Sequence, residues 1–315
     1  MVSSRVNKIV KDIRTMQIRG AGRIARAAAN ALKIASKESK AETLRRFSDE
    51  MGQVSKLLLN TRPTAVSLPN AIRYVTLALK QGQSSDLLDL KKAVQSRAGD
   101  FIKNSNDAVR KIGEIGTNMI SDNDTILTHC NSQSALSVIK TAFRRGKNIK
   151  VYVTESRPLW QGRLSARDLL KEGIPTTMII DSAVRHFMRD MDKVVVGADS
   201  IAANGAVVNK IGTSAISLAA HDARVLFFVA AETYKFHPET LVGRLIEIEE
   251  RDPSEIINLE RYPKLKVNNP SFDVTPPEHV DLIITERGII SPYAAYSIIQ
   301  DIFNWKTSEG IQTLK

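Results

Sequence analysis

The sequence predicts an α/β protein, with a helical N-terminal domain over residues 1–120 and a Rossmann-like, mostly parallel sheet domain over residues 121–315. Three observations carry that prediction. Apolar residues in the first third recur at helical spacing, with few strand signals among them. From about residue 121 short apolar runs alternate with helical segments, the rhythm of parallel strands joined by crossover helices. Five of the six predicted strands end on polar tails, as expected where a doubly wound sheet opens its binding crevice.

The N-terminal elements follow from spacing and propensity. Val6, Ile9, Val10 and Ile13 share one helical face, as do Leu44, Phe47 and Met51. The stretch Ala25 to Ala35 is rich in alanine, the best helix former. Asp86 to Ile120 is polar and periodic. ArgGlyAlaGly (19–22) and the Pro-containing stretch 60–70 interrupt the helices, because glycine and proline break them into loops.

In the C-terminal domain, strands are expected at Thr125–Thr128, Ile149–Thr154, Thr176–Ile180, Val194–Val196, Val225–Ala230 and Leu282–Thr285. Helices are expected at Ser134–Phe143, Ala166–Glu172, Ala183–Arg189, Ser214–Ala223 and, opened by Pro292, Tyr293–Phe303. The polar tails are ThrHisCysAsnSer (128–132), ThrGluSerArgPro (154–158), AspSerAla (181–183), GlyAlaAspSer (197–200) and AlaGluThr (231–233).

Composition narrows the function. With 43% apolar residues the chain can bury a substantial core. It has no apolar run near the ~20 residues needed to cross a bilayer. No signal-peptide pattern opens it, because Arg5, Lys8, Lys11 and Asp12 interrupt the start. A single cysteine in 315 residues excludes an intrachain disulfide, so a reduced, cytoplasmic setting is expected. The net charge of +11 is concentrated at one end: residues 1–120 hold 22 Lys/Arg against 10 Asp/Glu, and residues 121–315 hold 23 against 24. A basic region fits an anionic partner or a solvated helical surface. Only 5% of residues are aromatic, and none are interleaved with arginine as in base-stacking modules, which argues against nucleic acid.

Candidate chemistry gathers at the strand ends. Cys130 faces the N-terminus of the next helix, whose free N–H groups favour a thiolate or a bound anion. The alternative is a small buried hydrophobe. Asp199 ends a strand after a Gly-Ala pair that lets another group approach, and turn or cap duty is its structural alternative. Asn209 and Lys210 follow within the same sheet edge and suit a polar substrate. ArgGlyAlaGly, expected to start a helix at Arg23, offers a phosphate backbone N–H groups and the Arg19 fork, or simply caps the helix. Arg62 sits on a proline-stiffened loop and holds an anion or lies at the surface. Lys235 reaches a second phosphate or is solvated. Glu155 and Arg157 pair with each other, or face the crevice with Gln161. Asp181 reads first as a helix cap. His129, on the strand face opposite Cys130, makes a poor dyad partner. The five histidines lack ligand spacing, so neither a metal nor a cofactor is expected.

Together these motifs resemble a known superfamily. ThrHisCysAsnSer, ThrGluSerArgProLeuTrpGlnGly (154–162), GlyAlaAspSerIleAlaAlaAsnGly (197–205) and AsnLysIleGlyThr (209–213) are similar to sugar-phosphate isomerases acting on methylthioribose 1-phosphate or ribose 1,5-bisphosphate. The same motifs are shared with the alpha, beta and delta regulatory subunits of translation initiation factor 2B. ArgGlyAlaGlyArgIle (19–24), the 61–70 segment and GluThrTyrLysPhe (232–236) most resemble the archaeal ribose-1,5-bisphosphate isomerases.

The resemblance implies Cys130 and Asp199 as the catalytic pair. It implies Arg19, Gly20, Ala21, Gly22, Arg62, Asn209, Lys210 and Lys235 as contacts to sugar and phosphates. It implies an aldose–ketose isomerisation of a phosphorylated pentose in nucleoside monophosphate degradation, with a homo-oligomer, dimer or hexamer, as the assembly. Cys130 would work at the carbon skeleton, and Asp199 at a hydroxyl or the returning proton, with burial drawing the aspartate towards neutrality. A non-catalytic regulatory subunit and the methylthioribose-1-phosphate activity are the competing expectations.

Overall fold

The computed structural model describes residues 2–62, 66–80, 86–243 and 245–303. Pro63–Ala65 of the proline-stiffened 60–70 loop thus lie outside the described residues. The chain divides into two compact units, Met1–Asp107 and Ala108–Lys315.

The first unit is helical: α1 (Ser4–Arg14), α2 (Ala21–Glu38), α3 (Leu44–Leu59), α4 (Ser67–Lys80) and most of α5 (Leu87–Gly116). Ser3 caps α1 and Thr43 caps α3, each hydroxyl accepting a first-turn N–H. Each helix buries one stripe. Val6, Val10 and Ile13 line up on α1, and Phe47, Met51, Val54 and Leu58 on α3. Small residues dominate the buried face of α2, where Ala25, Ala28, Ala29 and Ala31 are fully enclosed.

The second unit is a three-layer α/β/α sandwich. Its strands and helices are β1 (Thr125–Thr128), α6 (Gln133–Arg144), β2 (Lys150–Thr154), α7 (Gln161–Leu170), β3 (Thr176–Ile179), α8 (Val184–Phe187), β4 (Lys193–Val196), β5 (Ser200–Ile201), β6 (Val207–Lys210), α9 (Thr213–Ala223), β7 (Leu226–Ala230), β8 (Phe272–Thr275), β9 (Leu282–Thr285), β10 (Gly288–Ile290) and α10 (Ala295–Phe303). The main sheet runs β10-β9-β7-β4-β1-β2-β3. All its pairings are parallel except β9 with β10. Alternation along each strand feeds two cores. Leu127, Val194, Val196, Phe227 and Val229 pack with α9 and α10. Ile126, Val151, Val153, Val195 and Phe228 pack with α6 and the C-terminal end of α5 on the other face.

The strand order fixes where chemistry belongs. The chain starts at β1, winds outward through β2 and β3, then returns to β4 and winds the other way. The reversal between β1 and β4 leaves a crevice at their carboxyl ends, the usual ligand position of such sheets. Cys130 follows β1 and Asp199 follows β4.

Several local expectations differ from the structure. The helix expected to start at Arg23 begins at Ala21, because Gly20 takes the N-cap position at φ +90°. Helix α7 begins at Gln161, five residues early, where Gly162 passes so close to the Thr154 carbonyl that any Cβ there would collide with it. The helix expected over 183–189 shrinks to α8 between two 3-10 turns. The three-stranded sheet β5-β6-β8 and the edge strand β10 were not anticipated. They are short, and β8 lies more than sixty residues from its partner β6, a pairing that no local pattern announces.

Candidate active site

The two loops at the switch point are pressed together. Ser132 caps α6 by accepting the Ala135 N–H, and its side chain lies against Gly197 at the end of β4. A Cβ at 197 would sit 2.3 Å from the Ser132 hydroxyl. The Gly-Ala pair thus does what its small size suggested, letting the Cys130 loop approach the Asp199 loop. Asp199 is set by the small sheet, its N–H donating to the Val208 carbonyl at 2.9 Å.

Cys130 takes a left-handed backbone, φ +65°, and its side chain is partly buried. Burial pushes the thiol up to about 11. The carboxylates of Asp199 and Asp181 push the same way, and the Lys210 ammonium pulls against them. The thiolate expected at the helix end is therefore not the resting form. Ser132 has already taken a first-turn N–H of α6, and loss of water around the sulfur outweighs the helix terminus. What stands in the crevice at neutral pH is a protonated thiol within the electrostatic reach of Asp199 and Lys210.

Asn209 and Lys210 end β6, and both are buried. The Asn209 amide donates to the Thr213 hydroxyl at 3.0 Å. Lys210 donates to the Ser271 carbonyl at 2.9 Å and lies over the Phe272 ring. Opposite Asn209 in register stands Asp273 on β8, which accepts the N–H groups of Gly212 and Ser214 at the start of α9. Its other oxygen is buried with no hydrogen-bond partner among the described residues, and burial raises this carboxyl to about 6.

Lys235 lies on the turn after β7 and is buried, not solvated. Its ammonium pairs with Glu232 at 2.6 Å. Burial works against the Glu232 carboxylate, yet Lys235 and the Tyr234 hydroxyl hold it below the usual carboxylate range.

In the helical unit, Arg19 is exposed and Gly20 caps α2 without a side chain. Among the described residues Gly20 provides no side-chain cap to the first-turn N–H groups of α2, the arrangement that an anion site uses. Arg62 is buried, which removes the surface alternative, and donates to the Met16 sulfur at 2.8 Å. Ser67 donates to the Ala21 carbonyl at 3.0 Å. Both contacts tie the 60–70 segment to the 16–22 loop.

Two secondary readings need correction. Asp181 does not cap its own helix. It accepts the N–H groups of Ser156 and Arg157 at 2.7 and 2.8 Å, because the β2 and β3 ends are neighbours in the sheet. Arg157 lies over the Trp160 ring instead of pairing with Glu155. Thr154, Ser156, Glu232 and Asp273 stand at the site without having been singled out. The strand-end position of Thr154 and Ser156 was a usable signal, whereas nothing local marks Asp273. Among the described residues no cluster of three His, Cys, Asp or Glu side chains is placed to hold a metal ion, and no helix is long and apolar enough to cross a membrane.

Residues 17–292 match the initiation factor 2 subunit family. The chain belongs to that family. Within it, the chain is 54% identical to the ribose 1,5-bisphosphate isomerase of Pyrococcus furiosus over 311 residues, 97% of this chain and 96% of the relative. Among solved family structures, the translation initiation factor eIF-2B of Pyrococcus horikoshii OT3 superposes with a TM-score of 0.80 at 34% identity, covering 92% of this chain and 98% of that one. The 5-methylthioribose 1-phosphate isomerase of the same organism superposes with 0.76 at 30% identity, covering 96% and 88%. The family therefore holds proteins named for catalysis and proteins named for translation on one architecture, so the site must decide between them.

Proposed function

We propose that this chain is an isomerase that converts α-D-ribose 1,5-bisphosphate to D-ribulose 1,5-bisphosphate. The observation that carries the reading is the pair at the switch point: a thiol kept protonated by burial, within electrostatic reach of a carboxylate. The full-length likeness to the Pyrococcus furiosus isomerase supports the choice of sugar.

The chemistry needs an acid and a base at once. A phosphate on the anomeric oxygen prevents the ring from opening to a free aldehyde. Reversing the roles expected from the sequence, because the thiol is the group that burial keeps protonated, we assign Cys130 to protonate the ring oxygen as the C1–oxygen bond breaks, while Asp199 takes the hydrogen from C2 as a proton. The electron pair left at C2 forms the C1=C2 enol. Asp199 then returns its proton to C1, and the C2 hydroxyl gives its proton to the Cys130 thiolate, restoring both groups and leaving a ketone at C2. A buried thiol suits the first step because it still carries its proton at neutral pH. Lys210 favours the transient thiolate by charge.

Arg19, Gly20, Ala21, Gly22 and Arg62 are assigned to phosphate contact, as are Asn209, Lys210 and Lys235 to the sugar and its phosphates. Holding a doubly charged pentose by its ends supplies several kcal/mol of rate enhancement through positioning alone. Self-association into a homo-oligomer belongs to the same reading.

Supplying purified protein with ribose 1,5-bisphosphate and, separately, methylthioribose 1-phosphate tests the assignment. Turnover of the bisphosphate alone is expected. Turnover of the methylthio sugar alone reassigns the substrate, and turnover of neither returns the chain to the binding proteins of the family.

A further inference from the structure

The proposed mechanism uses the Cys130 sulfur and leaves unexplained why its backbone is strained. Cys130 and Ser156 both hold left-handed conformations, at φ +65° and +59°. A residue with a Cβ adopts that region at a cost of about 1–2 kcal/mol, and keeps it only where its surroundings insist.

Those surroundings form a connected set of hydrogen bonds. The Cys130 N–H donates to the Ser156 hydroxyl at 2.8 Å. The Cys130 carbonyl accepts from the Ser165 hydroxyl at 2.6 Å, which itself accepts from Asn131 at 3.0 Å. Asp181 holds this turn from behind by accepting the backbone N–H groups of Ser156 and Arg157. At the centre lies His129, fully enclosed. Its Nε2 faces the Ile211 carbonyl at 3.0 Å, and a carbonyl only accepts, so the proton sits on Nε2 and Nδ1 is bare. Nδ1 then accepts from the Thr154 hydroxyl at 2.5 Å. With its proton committed to His129, Thr154 meets the Ser156 hydroxyl, 3.2 Å away, as an acceptor. Ser156 is left with its lone pair turned to the Cys130 N–H. The Ser156 hydroxyl also lies 3.3 Å from Nδ1 itself, so by either route its proton points to the histidine side, and the one tautomer sets the order of donors.

We infer that His129 is a positioning residue: through Thr154 and Ser156 it fixes the backbone of Cys130 and so aims the sulfur into the crevice. The inference rests on the proposed role of Cys130. Burial supports it, pulling the imidazole down to about 4 despite the nearby Asp181 carboxylate, so the tautomer does not change across the neutral range. A histidine that merely filled space would have no bearing on the thiol.

Because Cys130 is the chain's only cysteine, its reactivity can be read directly. The charged groups that act on it are Lys210, Asp199 and Asp181, and none is altered in the variants His129→Gln and Ser156→Gly. The glycine variant also relieves the left-handed strain, separating conformation from hydrogen bonding. In both, kcat is expected to fall by about 10- to 100-fold with KM within about twofold, the signature of a misplaced reacting group. The midpoint of iodoacetamide alkylation against pH is expected to drop from about 11 by roughly one unit as water reaches the sulfur. Thr154→Ser, which keeps the hydroxyl, should leave both readouts near wild type. Wild-type kcat and an unmoved alkylation profile in folded His129→Gln overturn the inference. Should that variant not fold, the same result in Ser156→Gly overturns it. The alkylation arm needs no sugar, so it still decides the matter if the wild-type protein turns over neither substrate.

Discussion

The helical unit and the sheet unit differ most in what they do with charge. Residues 1–107 carry 20 Lys/Arg against 9 Asp/Glu, whereas residues 108–315 carry 25 of each. In the helical unit Arg19 stands exposed on a loop ahead of an uncapped helix start. In the sheet unit His129 is buried, Cys130 and Asp273 are half-buried, and their proton affinities are displaced: Cys130 up, His129 down, Asp273 up. The difference teaches a division of labour. Attracting an anion needs charge that water can still reach, because steering acts at long range. Moving a proton needs a group whose affinity has been set by removing water.

The largest effect should come from removing the buried proton. Cys130→Ser is expected to lower kcat by about 10³-fold, within the usual span for a general acid, with the fold intact by circular dichroism. A wild-type rate would erase the chemical half of the comparison. Next comes the charge half. Arg19→Ala should raise KM by roughly tenfold or more with kcat nearly unchanged, as expected for a charge-assisted phosphate contact. A fall in kcat alone would place Arg19 among the chemical groups instead.

The remaining two predictions sharpen the picture of the sheet unit. Gly197→Ala inserts a Cβ 2.3 Å from the Ser132 hydroxyl and should cost about 1–3 kcal/mol in a urea melt, as overpacking does. Adding Ser132→Gly should recover most of it. An uncorrected loss would mean that the two loops are not in contact. An effect of similar size, but one that depends on pH, concerns Asp273. Its carboxyl binds its proton more tightly when folded, at about 6, than when unfolded, near 3.8. The group's contribution is therefore fully present below the unfolded value and lost as pH rises through about 6. Between pH 4 and pH 7 the wild type should lose about 2–3 kcal/mol relative to Asp273→Asn. Parallel stability curves for the two proteins would show that the carboxyl is solvated.

Much of this was legible in order along the chain. The apolar runs gave six of the main-sheet strands to within a residue or so, since a strand buried on both faces reads as a continuous apolar stretch. Short polar tails then marked the crevice edge, and Cys130 and Asp199 fell on it. Arg62 and Lys235 were only half legible: an anion contact and a surface position both stood open, and burial removes the surface one. Their partners, Met16 and Glu232, are named by packing and not by pattern. Asp181 misled for a related reason. A carboxylate beside a helix start looks like a cap, but its acceptors are used by the neighbouring strand's loop.

By itself, the sequence determined which segments become strands and helices, where the cationic excess lies, and which residue types reach the strand ends. Those are consequences of side-chain period and backbone propensity, which act over a few residues. Only the tertiary structure decided that the Cys130 and Asp199 loops meet across a glycine, that burial raises the thiol's proton affinity, and that a buried histidine stands among the hydroxyls behind it. Each of these depends on desolvation and on partners brought from distant strands, and both come into being only when the sheet closes.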